Sequence, residues 1–336
     1  MKIETIVFGA SGFVGTYLDE YLTNHLRIDT VYLTRKNKNK NFLYGDIRNR
    51  CLFDTLGLTL KDVQQCINVA TFQPVYSKDG INDNTRYVEV NTIGFINIMN
   101  YCIANNIQKL IHLISHRSVI SSEGVITETS HYNNIYDNEF SEFAVSEMAA
   151  VEMAKCYEAK YGLRTIILRV PSIIGYGPHL EGYRNGKPYK TGLLTFIEKA
   201  IHELPLVVYG DPLVGRDVVY VKDVCFAITK SMASENAKGV YNISSGRILT
   251  LEEEAETIVD VFCDKDRKSA IIYDATKSND IEPCLYDIQK AKKDMDWEPV
   301  YADFRDMMVD FKNEMLKEDK HKLFQERRND LYKWMD

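Results

Sequence analysis

The chain has no apolar run approaching the ~20 residues that span a bilayer, no excess of positive charge, no CxxC pair, and no enrichment in glycine, proline or serine. Each absence removes a class. Without a long apolar run, no membrane-spanning helix is expected. With a formal net charge of −7, no global field draws in nucleic acid or an anionic membrane, so any charge that binds phosphate must be local. The seven cysteines, at positions 51, 66, 102, 156, 225, 263 and 284, are odd in number and scattered. That suits reduced thiols in a cytoplasmic protein better than a disulfide or zinc framework. The histidines form no HExxH motif and no carboxylate cluster stands out, so no metal site is expected. The N-terminus, Met-Lys-Ile-Glu-Thr, enters a strand pattern directly and lacks signal-peptide architecture.

At 336 residues, 45% hydrophobic, the chain can bury one large core or two joined ones. Short apolar runs at 3–8, Thr30–Thr34, Phe42–Tyr44, Gln65–Val69, Leu110–Ser115 and Arg164–Arg169 read as buried strands. Helical patterns separate most of them, following the first strand and at about 48–57, 83–105 and 140–160. Strands alternating with helices call for parallel pairing and right-handed crossovers, hence an α/β fold with a doubly wound parallel sheet. After Pro171 the texture changes. Residues 175–192 read as a long loop, followed by a helix (192–203) and strands at Leu206–Tyr209 and Asp217–Val221. Thr250 and Glu253 have the spacing of a capping box. The charged segment 303–336 is expected to be helical, and Lys317–Asp336 a solvated helix. The division expected is 1–174, with 218–243 returning to it, and a smaller α+β lobe from 175–217 and 244–336.

The first strand runs into Gly9-Ala-Ser11-Gly12-Phe13-Val14-Gly15, and a helix opens at once. In that context the first glycine permits a tight turn, the second lets backbone approach a pyrophosphate, and the third allows close helix–strand packing. An acidic residue at the end of strand two would favour NAD(H). Thr34-Arg35-Lys36 stands there instead, and a guanidinium fork suits a 2′-phosphate. NADP(H) is therefore favoured, with NAD(H) the alternative. Asp46 is a candidate adenine contact.

These motifs come in an order that resembles the extended short-chain dehydrogenase/reductases of the nucleotide-sugar epimerase/dehydratase family. Gly9–Gly15 is similar to its GxxGxxG, Gly45-Asp46 to its GD pair, Asn68-Val69-Ala70 to its HLAA segment and Asn91-Thr-Ile-Gly94 to its NxxG helix. Gly175-Tyr-Gly-Pro178, Tyr209-Gly-Asp211, Gly215–Asp223, Tyr241–Gly246 and Asp296-Trp-Glu-Pro299 continue the series. The resemblance implies a Rossmann half holding the dinucleotide, with Ile47, Val69, Ala70, Asn91 and Pro171 added to its contacts. It also implies a lobe that binds a nucleotide-diphosphate sugar through Ser172, Leu193, Val208, Tyr209 and Arg216, with Arg216 on the diphosphate. A homodimer through helices 83–105 and 140–160 follows from the same resemblance. A further phosphate-binding arginine, frequent before the Asp-Ile-Xaa-Lys-Ala segment, is missing from Pro283-Cys-Leu-Tyr286.

The catalytic positions depart from the family. Its chemistry needs a tyrosine in YxxxK, a lysine one helical turn on that lowers the phenol's pKa, and a Ser/Thr after strand five. Phe143-Ala-Val-Ser-Glu147 aligns with YGxSK, and Ser115-His116 with the serine pair. Phenylalanine has no proton to exchange, and glutamate reverses the lysine's charge. Two readings follow. One is an NAD(P)-dependent 4-ketoreductase or epimerase with a rebuilt site of His116, Glu147, Ser115 and Tyr136. The other is a catalytically inactive homologue that binds the same ligands as a sensor or partner subunit.

Overall fold

The computed structural model describes residues 4–26, 30–34, 42–60, 62–73, 84–119, 124–130, 140–184, 187–279 and 281–333. Its centre is a seven-stranded, all-parallel sheet. The spatial order is Gly239–Asn242, Arg164–Val170, Lys109–Ser115, Gln65–Asn68, Thr5–Phe8, Thr30–Thr34, Phe42–Tyr44. The chain starts in the middle and winds outward in both directions, so the order reverses between Thr5–Phe8 and Gln65–Asn68.

The strands lack polar alternation because both faces are covered. Val7, Ile67, Ile111, Ile166 and Leu168 pack on one side with Val14, Tyr17 and Leu18 of helix Phe13–Tyr21. Ile6, Phe8, Cys66, Leu110 and Ile167 pack on the other with Phe95, Ile98 and Val151. Alternate residues of one strand thus belong to different cores. The segment expected as a single helix over 83–105 is three pieces, Asn84–Tyr87, a π-helical stretch Val88–Gly94, and helix Phe95–Ala104. π-Helical turns interrupt α-helices where a side chain must be re-aimed, and Asn91 lies in this one.

Ser172–Ile174 pairs in parallel with Val218–Tyr220, and helix Val221–Ala233 and strand Gly239–Asn242 return to the sheet. Outside the central sheet lie helix Gly192–Ile201, the parallel pair Leu206–Tyr209 and Ile271–Asp274, the short pair Gly215–Arg216 and Leu249–Thr250, and helix Leu251–Phe262.

Three local expectations are corrected. Residues 175–192 are not one loop: Glu181–Arg184 and Lys187–Lys190 form an antiparallel pair. Thr250 Oγ1 accepts the N–H of Glu253, but Glu253 turns its carboxylate to Arg247, so half of the capping box is present. The charged end is not merely solvated. In helix Glu318–Lys333, Lys320 and Phe324 are 3% and 1% exposed. Phe324 meets the rings of Tyr17 and Tyr176, while Lys320 reaches Glu20 and Glu314. Long-range apolar and ionic partners, invisible to a local charge count, draw this helix onto the first one.

Candidate functional site

The glycine turn is built by close approach. Gly9 has φ +86°, and a Cβ there would stand 2.4 Å from the backbone nitrogen of Ala70. A Cβ on Gly15 would meet the Gly9 carbonyl at 2.6 Å. Only glycine lets the first strand, the helix start and the Val69–Ala70 segment meet here. Helix Phe13–Tyr21 opens at Gly12 with no side-chain cap and no acidic residue in its first turn. Ser11 is half-buried and Gly12 exposed, while Val14 anchors the helix in the core. A helix start with no side-chain cap, at the carboxyl ends of parallel strands and at the point where strand order reverses, has the geometry to receive a phosphate. The residues present fit a dinucleotide's pyrophosphate.

Phe13 does not face that site alone. Its ring meets that of His179 at 4.0 Å, tilted by 33°, and presses on the positions of Gly175 and Gly177. It thereby joins the glycine turn to the segment leading into the second lobe, just after Pro171 (buried) and Ser172 (half-buried). On the adenine side, Thr34 ends its strand, and Arg35, the residue on which the NADP(H) preference rests, lies outside the described residues. Asp46 accepts the backbone N–H of Arg48 at 2.9 Å and its Nη2 at 2.8 Å, and Arg48 reaches Glu89 at 3.0 Å. Ile47 is buried against Gly94, and its carbonyl accepts from Asn97.

At the end of strand Lys109–Ser115, Glu147 is 3% exposed. Its Oε2 accepts the backbone N–H of Ser115 at 2.6 Å, and its Oε1 lies 3.2 Å from Thr71 Oγ1. Burial pushes this carboxyl up to about 8, against the pull of those two bonds. Asn91 completes the arrangement. It donates to the Phe72 carbonyl and to Ser146 Oγ, both at 3.0 Å, and accepts from the Phe72 N–H at 2.7 Å. Phe143, one turn before Glu147, is 3% exposed, and its ring meets Tyr87 edge-on at 6.2 Å. Tyr87 in turn meets Phe72 at 5.3 Å. Phe143 is thus an aromatic core contact, and Glu147 a buried carboxyl tied to main chain.

His116 starts a 3-10 turn, Ser115 capping it by accepting the N–H of Arg117. Its half-buried ring meets Tyr286 edge-on at 6.3 Å. Burial, then Arg117, with Arg216 and Arg169 adding, holds His116 down at about 3, opposed by a bond to the Val170 carbonyl. His112, four residues earlier, is not its partner. It lies mid-strand, stacked on Phe95 at 3.9 Å. Tyr136 lies outside the described residues.

In the second lobe, Arg216 is 25% exposed and its Nη2 stands 3.5 Å from the buried Glu254. This long contact leaves the guanidinium fork only loosely engaged. Its neighbour Asp217 is held instead by Ser244, Ser245 and the Tyr286 N–H. Val208 turns into the core, 1% exposed, because alternate residues of Leu206–Tyr209 face inward, and Leu193, 8% exposed, packs into it from helix Gly192–Ile201. Tyr209 is 40% exposed beneath the Lys277 ammonium.

Thr71, Glu254 and Tyr286 escaped the sequence reading. The first two are partners of residues that were singled out, and nothing local marks such pairings. Tyr286 had a signal, since it occupies the segment where a family arginine is missing.

Among the described residues no helix is long and apolar enough to cross a membrane. The model of the NAD dependent epimerase/dehydratase family matches residues 5–244. A putative UDP-glucose 4-epimerase of Methanocaldococcus jannaschii is 24% identical over 306 residues, 88% of this chain and 92% of its own length. The crystal structure of a Thermotoga maritima UDP-glucose 4-epimerase with UDP-glucose superposes with a TM-score of 0.74 at 19% identity, covering 94% of this chain and all of that one. A Thermus thermophilus UDP-glucose 4-epimerase in complex with NAD gives 0.70 at 21% identity, over 92% and 98% of the two chains. With a family match across most of its length and a sheet that winds outward from a glycine turn, the chain belongs to the NAD-dependent epimerase/dehydratase family.

Proposed function

We propose that the protein holds a nicotinamide dinucleotide on the Gly9–Gly15 turn and a nucleotide-diphosphate sugar against Arg216. It would modify the sugar as a 4-ketoreductase or epimerase whose proton-handling centre is His116. The observation that carries this reading is that Tyr286, whose ring meets His116 edge-on at 6.3 Å, donates its N–H to Asp217, the neighbour of Arg216. On this reading the two ligands meet at that imidazole.

A dinucleotide bound there supplies a hydride donor or acceptor at its nicotinamide. Arg216 pairs with the diphosphate, since a guanidinium fork fits phosphate oxygens. Glu147 holds Ser115 by its N–H and so fixes the turn that presents His116. His116, free of charge in the absence of ligand, accepts or donates a hydrogen bond at the sugar oxygen. A diphosphate beside Arg216 offsets part of the cationic field on the imidazole, so its proton affinity rises when substrate arrives. NADP(H) is the favoured cofactor, on Arg35 and the lack of a carboxylate after strand two, and it suits net reduction of a keto-sugar. A cytoplasmic homodimer completes the reading. Val88, Ile93 and Val145, each 45–48% exposed, supply apolar surface on the two helical segments, whereas Phe143, Ala144 and Val151 are in the core.

A second reading, an inactive ligand-binding homologue, is favoured by one observation: Phe143, which has no proton to exchange, is built into an aromatic contact with Tyr87. Single-turnover absorbance of the nicotinamide across a panel of nucleotide sugars separates the two. A change with wild type that disappears in His116→Ala supports the enzyme. Silence from both, with ligand binding intact, leaves the binder.

A further inference from the structure

Thr71 has one hydroxyl proton and two oxygens to serve. Its Oγ1 lies 3.2 Å from Glu147 Oε1 and 3.3 Å from Asn91 Oδ1. Asn91 cannot turn its amide to help, because its Nδ2 and Oδ1 are both fixed by the backbone of Phe72. Ser146 cannot help either, since its hydroxyl donates to the Phe143 carbonyl at 2.7 Å. With Glu147 ionised, the single Thr71 proton is shared between the two oxygens; with Glu147 protonated, each contact has its own proton, Glu147 donating to Thr71 and Thr71 to Asn91. The high proton affinity that burial gives this carboxyl agrees with the count.

The groups that bond around the carboxyl are neutral: Ser115 from the fifth strand, Thr71 after the fourth, Asn91 from the π-helical turn, and Ser146 on its own helix. Beside them in the chain, His116 is uncharged, Arg117 pairs with Glu282, and Glu89 pairs with Arg48. The carboxyl stands at the carboxyl ends of Gln65–Asn68 and Lys109–Ser115, on the side of the reversal point away from Thr30–Thr34. A dinucleotide with its pyrophosphate at the glycine turn lays one nucleoside over each half of the sheet. Adenosine goes to the side of strand two, nicotinamide to the side of Glu147.

We infer that Glu147 selects the redox form of the dinucleotide: the oxidised nicotinamide, a cation, is held with Glu147 ionised, and the reduced, uncharged ring with Glu147 protonated. The inference rests on the dinucleotide reading above. Binding of the oxidised form sends the carboxyl proton to solvent, and no covalent bond to the cofactor forms or breaks. A charge that a lysine would repel is here met by its opposite in a poorly solvated site, where Coulomb terms are strong.

The test is calorimetric titration of the intact protein with NAD+, NADH, NADP+ and NADPH between pH 6 and 9, in two buffers of different ionisation enthalpy. Affinity for the oxidised forms should rise up to about tenfold per pH unit below about 8 and then level off, with close to one proton released. Affinity for the corresponding reduced forms should not show this rise. Glu147→Gln, whose amide can accept from Ser115 and donate to Thr71, should remove the difference. Equal pH dependence for oxidised and reduced forms in wild type would overturn the inference while leaving dinucleotide binding standing. So would a wild-type difference that survives in Glu147→Gln. Binding of no dinucleotide at any pH would overturn both. The proton-release measurement uses wild type alone, so it does not depend on how the variant folds.

Discussion

The ammonium of Lys320 lies 3.8 Å over the ring of Tyr17. It also bridges Glu20 at 2.7 Å and Glu314 at 2.6 Å, while Tyr17 donates its hydroxyl to the Tyr176 carbonyl. The last helix is thereby fastened to the helix that opens at the glycine turn. Lys320→Met should cost about 3 kcal/mol in urea unfolding, the low end for breaking a buried pair, because Glu314 keeps Lys222 at 2.8 Å. Glu20→Gln should cost far less, Glu20 being half open to solvent.

Glu314 has a pH signature of its own. Burial opposes its charge, but Lys222, Lys320 and Lys317 outweigh that and hold it at about 2 rather than 4.5. Its folded-state value is depressed, so its stabilisation is present above about pH 4.5 and is lost as pH falls toward 2. Glu314→Gln should flatten that part of the stability–pH curve.

Glu147 acts with the opposite sign. Its folded-state value is raised from 4.5 to about 8, so the folded protein keeps a proton that the unfolded chain loses. Stability should fall between about pH 4.5 and 8 and then level off, by at most about 5 kcal/mol at 1.36 kcal/mol per pH unit. Glu147→Gln should match wild type near pH 4.5 and exceed it at pH 8. Denaturant midpoints at the two pH values check this.

Phe143→Tyr alone should not restore the family's Tyr–Lys chemistry. The new hydroxyl enters an aromatic cluster and lacks the cation that would acidify it. An unpartnered buried hydroxyl costs about 1–3 kcal/mol. Thermal unfolding should show that loss, without gain in single-turnover hydride transfer.

Gly9→Ala should abolish dinucleotide binding and lower stability, since both φ +86° and the 2.4 Å approach to Ala70 forbid a Cβ. Cofactor titration with a parallel melting curve reads both effects.

The sheet was legible because its strands are apolar on both faces and bounded by turns. The runs around Ile6, Ile67, Ile111 and Ile167 need no tertiary knowledge to be read. Gly9 and Gly15 were legible because close backbone approach admits no other residue. Lys320, Glu254 and Thr71 were not. Each owes its place to a partner far along the chain, and nothing in a local window marks such a pairing. The pair Glu181–Arg184 and Lys187–Lys190 was hidden by glycine, proline and tyrosine that read as irregular chain. The absence of a YxxxK pattern around Phe143 and Glu147 was readable, but that the Glu147 carboxyl turns onto the Ser115 N–H needed the fold.

Two adjoining pockets for phosphate-bearing ligands are tested most directly by titrating one sample with NADP(H) or NAD(H) and then with a UDP-sugar. The account predicts that both bind together, and that Arg216→Ala weakens the sugar nucleotide about 10- to 100-fold, the worth of one charge-assisted bond of about 1.5–3 kcal/mol, while the dinucleotide is unaffected. Well-folded protein that takes up neither ligand would contradict it.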